Sequence, residues 1–273
     1  MRFLALLIFV CLTAQAQVPG NPQQPELLAE QIDGGAQVFV NNPLYAPVSA
    51  TFTVGGTNFS SSAGSSFVRV LPPRARTLVL TVKPADPQAA WNWSFSWSWR
   101  MGDINARPDG TVYDLPFATG AAFRVDQGYG GVFSHNTAEG RYALDFNMPE
   151  GTPVHAAREG VVVALETGFT AGGTDPALRA KANYIAVLHA DGTIAEYVHL
   201  RAGGSAVRVG QQVARGQLIG YSGNTGYSST PHLHFHVYRA LSPTGGWQTL
   251  AVQFRTLEGG PLSLQEGQRY TRP

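Results

Sequence analysis

Pro231-His232-Leu233-His234-Phe235-His236-Val237 places an imidazole at every second position of an otherwise apolar run. Successive side chains of a β-strand point to opposite faces, so residues two apart share one. Read as a strand, the run sets His232, His234 and His236 on one face and Leu233, Phe235 and Val237 on the other. Neutral imidazole is the commonest metal ligand and also a general base near neutral pH. The row therefore points to metal or proton-transfer chemistry. The plainer alternative is a solvated polar face on a half-buried strand.

Metal chemistry needs partners from elsewhere in the chain. Asp145, in Tyr142-Ala143-Leu144-Asp145-Phe146, is a carboxylate inside a strand-like apolar run. Burying it uncompensated is costly, so a cation explains it well; a salt bridge to Arg141 is the other reading. His199 ends Glu196-Tyr197-Val198-His199-Leu200 and is either a second cleft histidine or a structural residue at a strand end. A catalytic zinc takes three protein ligands and leaves its fourth position to water. His234 is a candidate for one of the three.

The bulk of the chain sets the context. Arg2, the apolar stretch Phe3 to Leu12 and Ala14-Gln15-Ala16 read as a secretory signal over residues 1–16, which implies a periplasmic or extracellular product. Cys11 is the only cysteine and lies within that segment, behind Val10 rather than the small residue that lipidation requires. The processed chain then has no thiol, so disulfides and thiolate metal sites are excluded and His, Asp or Glu must hold any metal. No later segment is apolar enough for stable membrane insertion. A formal net charge of +1 without basic runs argues against nucleic acid as a partner.

With 31 Gly and 18 Pro and little helical periodicity, the composition favours short strands and turns, an all-β protein. A leader rich in Gln, Pro and Asn is expected over 17–26, a β-sandwich of immunoglobulin-like type over 27–116, and a second domain over 117–273. In the first domain Trp91, Trp93, Phe95, Trp97 and Trp99 alternate with Asn92, Ser94, Ser96 and Ser98. Such a row either stacks on sugar rings or forms the inner face of a sandwich, and the inner face is the expectation. In the second domain, strands over 183–189 and 193–199 are joined at Ala190-Asp191-Gly192, a hairpin signal. Further strands are expected over 156–163, 207–211 and 216–220. A Gly- and Thr-rich insertion over 168–181 reads as a loop at the rim of a site.

Four segments together resemble the lysostaphin/LytM-type zinc endopeptidases, which cleave peptide bonds in bacterial cell-wall peptidoglycan. They are Asp145-Phe146 with Gly151-Thr152-Pro153-Val154; Tyr197-Val198-His199-Leu200; Val209-Gly210 with Gly216-Gln217-Leu218-Ile219-Gly220; and Gly223-Asn224-Thr225-Gly226 leading to Pro231-His232-Leu233-His234-Phe235. The resemblance implies an antiparallel β-sheet peptidase domain with one zinc per chain and peptidoglycan peptides as substrate. It makes Asp145 and His234 zinc ligands and His199 and His232 catalytic. The family's remaining ligand usually stands four residues before the aspartate, where this chain has Arg141. His135 is the nearest upstream histidine and is expected to be the third ligand, with Asn136 to Gly140 as a longer loop. His236 stands where Glu is common in the family, and Thr230 where Gly is frequent. His155 and His189 are assigned no chemistry.

No His-Glu-x-x-His motif is present, so the carboxylate base of that class of zinc peptidases is missing. Proton transfer then falls to His232 as base, while His199 orients the water or stabilises the oxyanion. Two other readings compete: a degenerate module that binds or regulates another wall hydrolase, and the same chemistry directed at proteins outside the wall.

Overall fold

The computed structural model describes residues 24–273 and the backbone of Phe9–Val10, which pairs parallel with the strand Asn92–Met101. Apart from that pair, the signal expected over 1–16, including Cys11, lies outside the described residues, as does the leader up to residue 23. The described chain is built of strands with a single 3-10 turn, Pro176–Leu178, and so is all-β. It forms two compact units: 24–104 with Ser242–Gly245, and Asn105–Leu241 with Gly246–Pro273. The division falls at Ile104/Asn105, not after Pro116. The reason is visible within the second unit. Tyr113–Asp114 pairs parallel with Phe254–Thr256, and Tyr113, Leu115 and Phe117 lie in that unit's core. The leader also ends earlier than expected, because a strand begins at Glu26.

The first unit contains two sheets. In one, Asn92–Met101 pairs with Val48–Thr57, which pairs with Ser66–Leu71; in the other the order is Glu26–Ile32, Gly35–Asn42, Ala75–Pro84, Phe59–Ser61. The aromatic row faces inward. Trp93, Phe95 and Trp97 are each 4% exposed and Trp99 is 1%, so these rings are core and not a platform for sugars. Trp97 stacks on Phe52 at 6.0 Å. Each such ring withdraws a large apolar area from water, which is why an alternating strand turns that face inward.

The second unit is organised on a nine-stranded sheet. Its order is Gln212–Val213, Gly160–Glu166, Tyr184–Leu188, Ile194–Val198, Leu233–Ala240, Leu144–Phe146, Ala122–Gln127, Arg269–Thr271, with Trp247–Thr249 also on Leu233–Ala240. The expected hairpin forms: Tyr184–Leu188 pairs antiparallel with Ile194–Val198, and Gly192 takes φ +83° in the turn. Val207 to Gln211 is a turn instead of a strand; the strand there is Leu200–Ser205, which pairs with Leu218–Ser222. Leu233, Phe235 and Val237 are at most 1% exposed and pack in the core with Tyr197, Leu144 and Phe146. Their burial sets the register of the central strand, and a slip by one residue would bring the imidazoles inside instead.

Candidate metal centre and active site

The three central strands bring the acidic and imidazole groups into one row. Asp145 lies directly opposite His234, His234 opposite Val198, and Gln127 opposite Asp145 on the next strand. Directly opposed residues have Cβ atoms about 5 Å apart, so their side chains meet on the shared face. His234 Nδ1 lies 2.8 Å from Asp145 Oδ1, and His135 Nε2 lies 3.5 Å from the same oxygen. One ligand atom from each of His135, Asp145 and His234 falls within 4.8 Å of the others.

His135 reaches this point on a folded-back loop. Its backbone N–H donates to Gly131 O at 3.0 Å, and Gly130 N–H donates to Arg141 O at 2.8 Å. Gln127 ties the loop to the sheet. Its amide nitrogen donates to Ser134 Oγ at 2.8 Å and to Asp145 Oδ2 at 2.9 Å, and its Oε1 accepts from the N–H groups of Phe133 and Ser134. A Cβ at Gly131 would collide with the Gln127 side chain, so this packing requires glycine there. Arg141 is exposed, and Asp145 is held by Gln127 and His234 instead.

The residues fit a cation. His135 donates its Nδ1–H to Gly128 O at 2.9 Å, which leaves Nε2 as a lone pair; that atom is buried and has no hydrogen-bond partner. A buried acceptor left unpaired is costly, and a metal ion satisfies it. Two imidazoles and a carboxylate suit zinc, and no thiolate is needed. The charges agree. Burial raises Asp145, but the imidazoles of His135 and His234 beside it outweigh that and hold the carboxyl well below the ordinary range. Burial lowers His135, yet the Asp145 carboxylate 3.5 Å from its Nε2 carries it above the usual imidazole value, the same pull that favours a cation at that point.

His199 and His232 flank the cluster, their ring centroids 4.6 Å apart. Each ties its Nδ1 to a backbone carbonyl: His199 donates to Thr225 O at 2.6 Å and His232 to Thr230 O at 2.8 Å. Each therefore keeps a bare Nε2, and that of His232 lies 3.7 Å from Asp145 Oδ1. Because the backbone of residue 230 does this work, a threonine there is compatible with the site. His199 adopts φ +63°, an uncommon left-handed conformation for a residue with a side chain, and strain of this kind concentrates at functional sites. Burial first, then the neighbouring His232 and His234, hold His199 down to about 3, so it stays neutral at physiological pH.

His236 is buried behind the cluster, with Nδ1 3.1 Å from His234 Nε2 and Nε2 3.4 Å from Glu196 Oε2. Burial pushes Glu196 up to about 7. The cleft in front measures about 410 Å³ and is lined by His199, His232, His234 and Asp145, by Asp126 and Glu266, and by Phe133 and Tyr227. Phe133, 66% exposed, stands parallel to Tyr227 at 6.2 Å. The insertion expected at a rim does border this wall: Gly172–Gly173 pairs with Gly226–Tyr227, and Arg179 lies over the Tyr227 ring at 5.1 Å. His155 and His189 lie outside the cluster. Sequence reasoning missed Gln127, whose only signal is a lone amide in a strand beside the aspartate strand. Thr225 was seen only as part of a motif, and its role is carried by its carbonyl.

Residues 139–246 match the model of Peptidase family M23; the match begins beyond His135. Over 93 residues the chain is 41% identical to the peptidoglycan DD-endopeptidase ShyA of Vibrio cholerae, covering 34% of this chain and 19% of that protein. Over 95 residues it is 41% identical to lysostaphin of Staphylococcus simulans, covering 34% of this chain and 17% of that protein. Among solved structures, the catalytic domain of the antimicrobial peptidase lysostaphin from Staphylococcus simulans is 33% identical, with 44% of this chain and 80% of that one covered and a TM-score of 0.31. The chain thus spans under a fifth of the length of these two curated relatives. Residues 139–246 are thus a lysostaphin/LytM-type peptidase region of family M23.

Proposed function

We propose that the chain is an exported zinc endopeptidase that hydrolyses peptide bonds in bacterial peptidoglycan. The observation that carries this reading is the meeting of His135 Nε2, Asp145 and His234 beside two imidazoles that each keep a bare Nε2. His135, Asp145 and His234 would hold one zinc ion. When bound, the ion supplies Lewis acidity, lowering the pKa of a water and drawing charge from a carbonyl.

The chain's own groups supply the rest. His232 Nε2 takes the proton from water as it attacks the peptide carbonyl, and hands it to the leaving amine. His199, with its one proton committed to Thr225 O, offers a lone pair and accepts a hydrogen bond from the same water. An oxyanion needs a donor, so the tautomer favours orientation over oxyanion stabilisation as the role of His199. Export rests on the signal read over residues 1–16. No helix among the described residues is long and apolar enough to cross a membrane. The first unit is read as an accessory sandwich of immunoglobulin-like type.

Wall peptides as substrate are supported by relatives named for peptidoglycan and glycyl-glycine cleavage. The regulatory-module reading drew on Arg141, and it weakens once His135 offers a donor atom in the cluster. The test is digestion of purified peptidoglycan by the full chain and by His135→Ala, with and without chelator, followed by mass spectrometry. New peptide ends that vanish with chelator and in the variant are expected. Intact peptidoglycan alongside cleavage of a glycine-rich protein would redirect the substrate, and no cleavage of either would overturn the enzyme.

A further inference from the structure

His236 has no part in the hydrolysis as derived, yet it is a buried polar group of the second unit. It is 6% exposed and lies on the same strand face as His234, two residues on. Its Nδ1 stands 3.1 Å from His234 Nε2, with the ring centroids 5.2 Å apart and the planes at 72°. Its Nε2 is buried without a hydrogen-bond partner, and the nearest carboxylate oxygen is Glu196 Oε2 at 3.4 Å. Glu196 is no accidental neighbour: it sits directly opposite His236 on the adjacent antiparallel strand.

Valence then orders the protons. A neutral imidazole carries one N–H. With Nδ1 of His234 turned to Asp145 and the metal position, ligation at that atom puts the proton of His234 on Nε2. The group 3.1 Å away must accept it, so His236 presents a bare Nδ1 and carries its own proton on Nε2. The carboxylate nearest to that proton is Glu196, 3.4 Å from Nε2. With His234 Nδ1 on the metal, donation runs in one direction: His234 to His236 to Glu196.

We infer that His236 and Glu196 form a positioning pair that accepts the Nε2–H of His234, fixing its ring and leaving Nδ1 for the metal. The inference rests on the reading of His234 as a ligand. Partners of this kind behind a ligating histidine typically change metal affinity by about 10- to 100-fold when removed. A carboxylate at position 236 would accept the same N–H directly, without needing Glu196.

The experiment uses the full chain, metal-free and zinc-loaded. A scalar coupling across the N–H···N bond between His234 Nε2 and His236 Nδ1 is sought by nitrogen-15 NMR, and zinc dissociation constants are measured by chelator competition. The coupling is expected in both forms, with His236 protonated at Nε2 in the loaded one. His236→Leu is expected to weaken zinc by about 10- to 100-fold, Glu196→Leu by about 10-fold, and His236→Glu to restore binding close to the parent. An absent coupling, or a His236→Leu constant equal to the parent's, overturns the pair. Failure of the unaltered chain to take up zinc would instead strike the metal reading, while the coupling in the metal-free protein still decides the contact. Should the Leu variants fail to fold, the coupling in the parent decides.

Discussion

The strand Asn92–Met101 in the first unit and Leu233–Ala240 in the second follow one pattern, a conspicuous ring at every second position. In the first strand the rings are the buried face: Trp93, Phe95, Trp97 and Trp99 are at most 4% exposed. In the second the apolar partners take the core, and His232 and His234 line a cleft. Alternation says which residues share a face. Desolvation cost says which face goes in, because an indole ring gains from leaving water and an imidazole loses unless it is paired. His236 supports the rule, being buried only where another imidazole and a carboxylate meet it.

The comparison breaks most sharply at the proposed ligands. His234→Ala or Asp145→Ala is expected to reduce metal content to background and abolish hydrolysis; a variant that keeps both metal, by atomic absorption, and turnover would leave the polar face without its reason. Next comes His232→Ala, expected to slow hydrolysis by about 100- to 10,000-fold while metal content holds. Metal loss there would make His232 a ligand. In the tryptophan strand the expected effect is on stability alone: Trp97→Ala should cost about 3–5 kcal/mol in urea unfolding of the first unit and leave metal content unchanged. A milder loss would mean that ring is not a core anchor.

Two pH measurements sharpen the same contrast. Hydrolysis is expected to decline from pH 8 toward about 5 as a proton competes with the metal at His135, which Asp145 holds above the usual imidazole value, and a flat rate would remove that competition. His189 is a histidine on the inner side, 3% exposed, which burial depresses from 6.5 to about 4. On acidification the unfolded chain binds this proton first, so the contribution is complete above 6.5 and lost toward 4. It amounts to about 1 kcal/mol between pH 7 and 5.5. His189→Asn should flatten that part of the stability profile, and an unchanged slope would assign it to other groups.

Much of this was readable from the chain. Alternation placed His232 and His234 on one face, the Asp191-Gly192 turn placed the hairpin that ends at His199, and a carboxylate in an apolar run marked Asp145. The boundary after Pro116 was misread because Tyr113, Leu115 and Phe117 belong to a core whose other half lies far along the chain, at Phe235 and Phe254. Gln127 escaped notice because an amide in a strand carries no local signal; its four hydrogen bonds are all to other segments.

Local chemistry and period two by themselves determined that this is a β protein, which residues share each strand face and which side chains suit a metal. Whether His135 meets Asp145 across a loop, whether Arg141 turns to solvent, and which nitrogen of each imidazole is free were decided only by tertiary structure. Periodicity is a property of neighbours in sequence. The position of a ligand and the tautomer of a ring follow from cross-strand register and from carbonyls such as Gly128, Thr225 and Thr230, which the folded chain alone brings into reach.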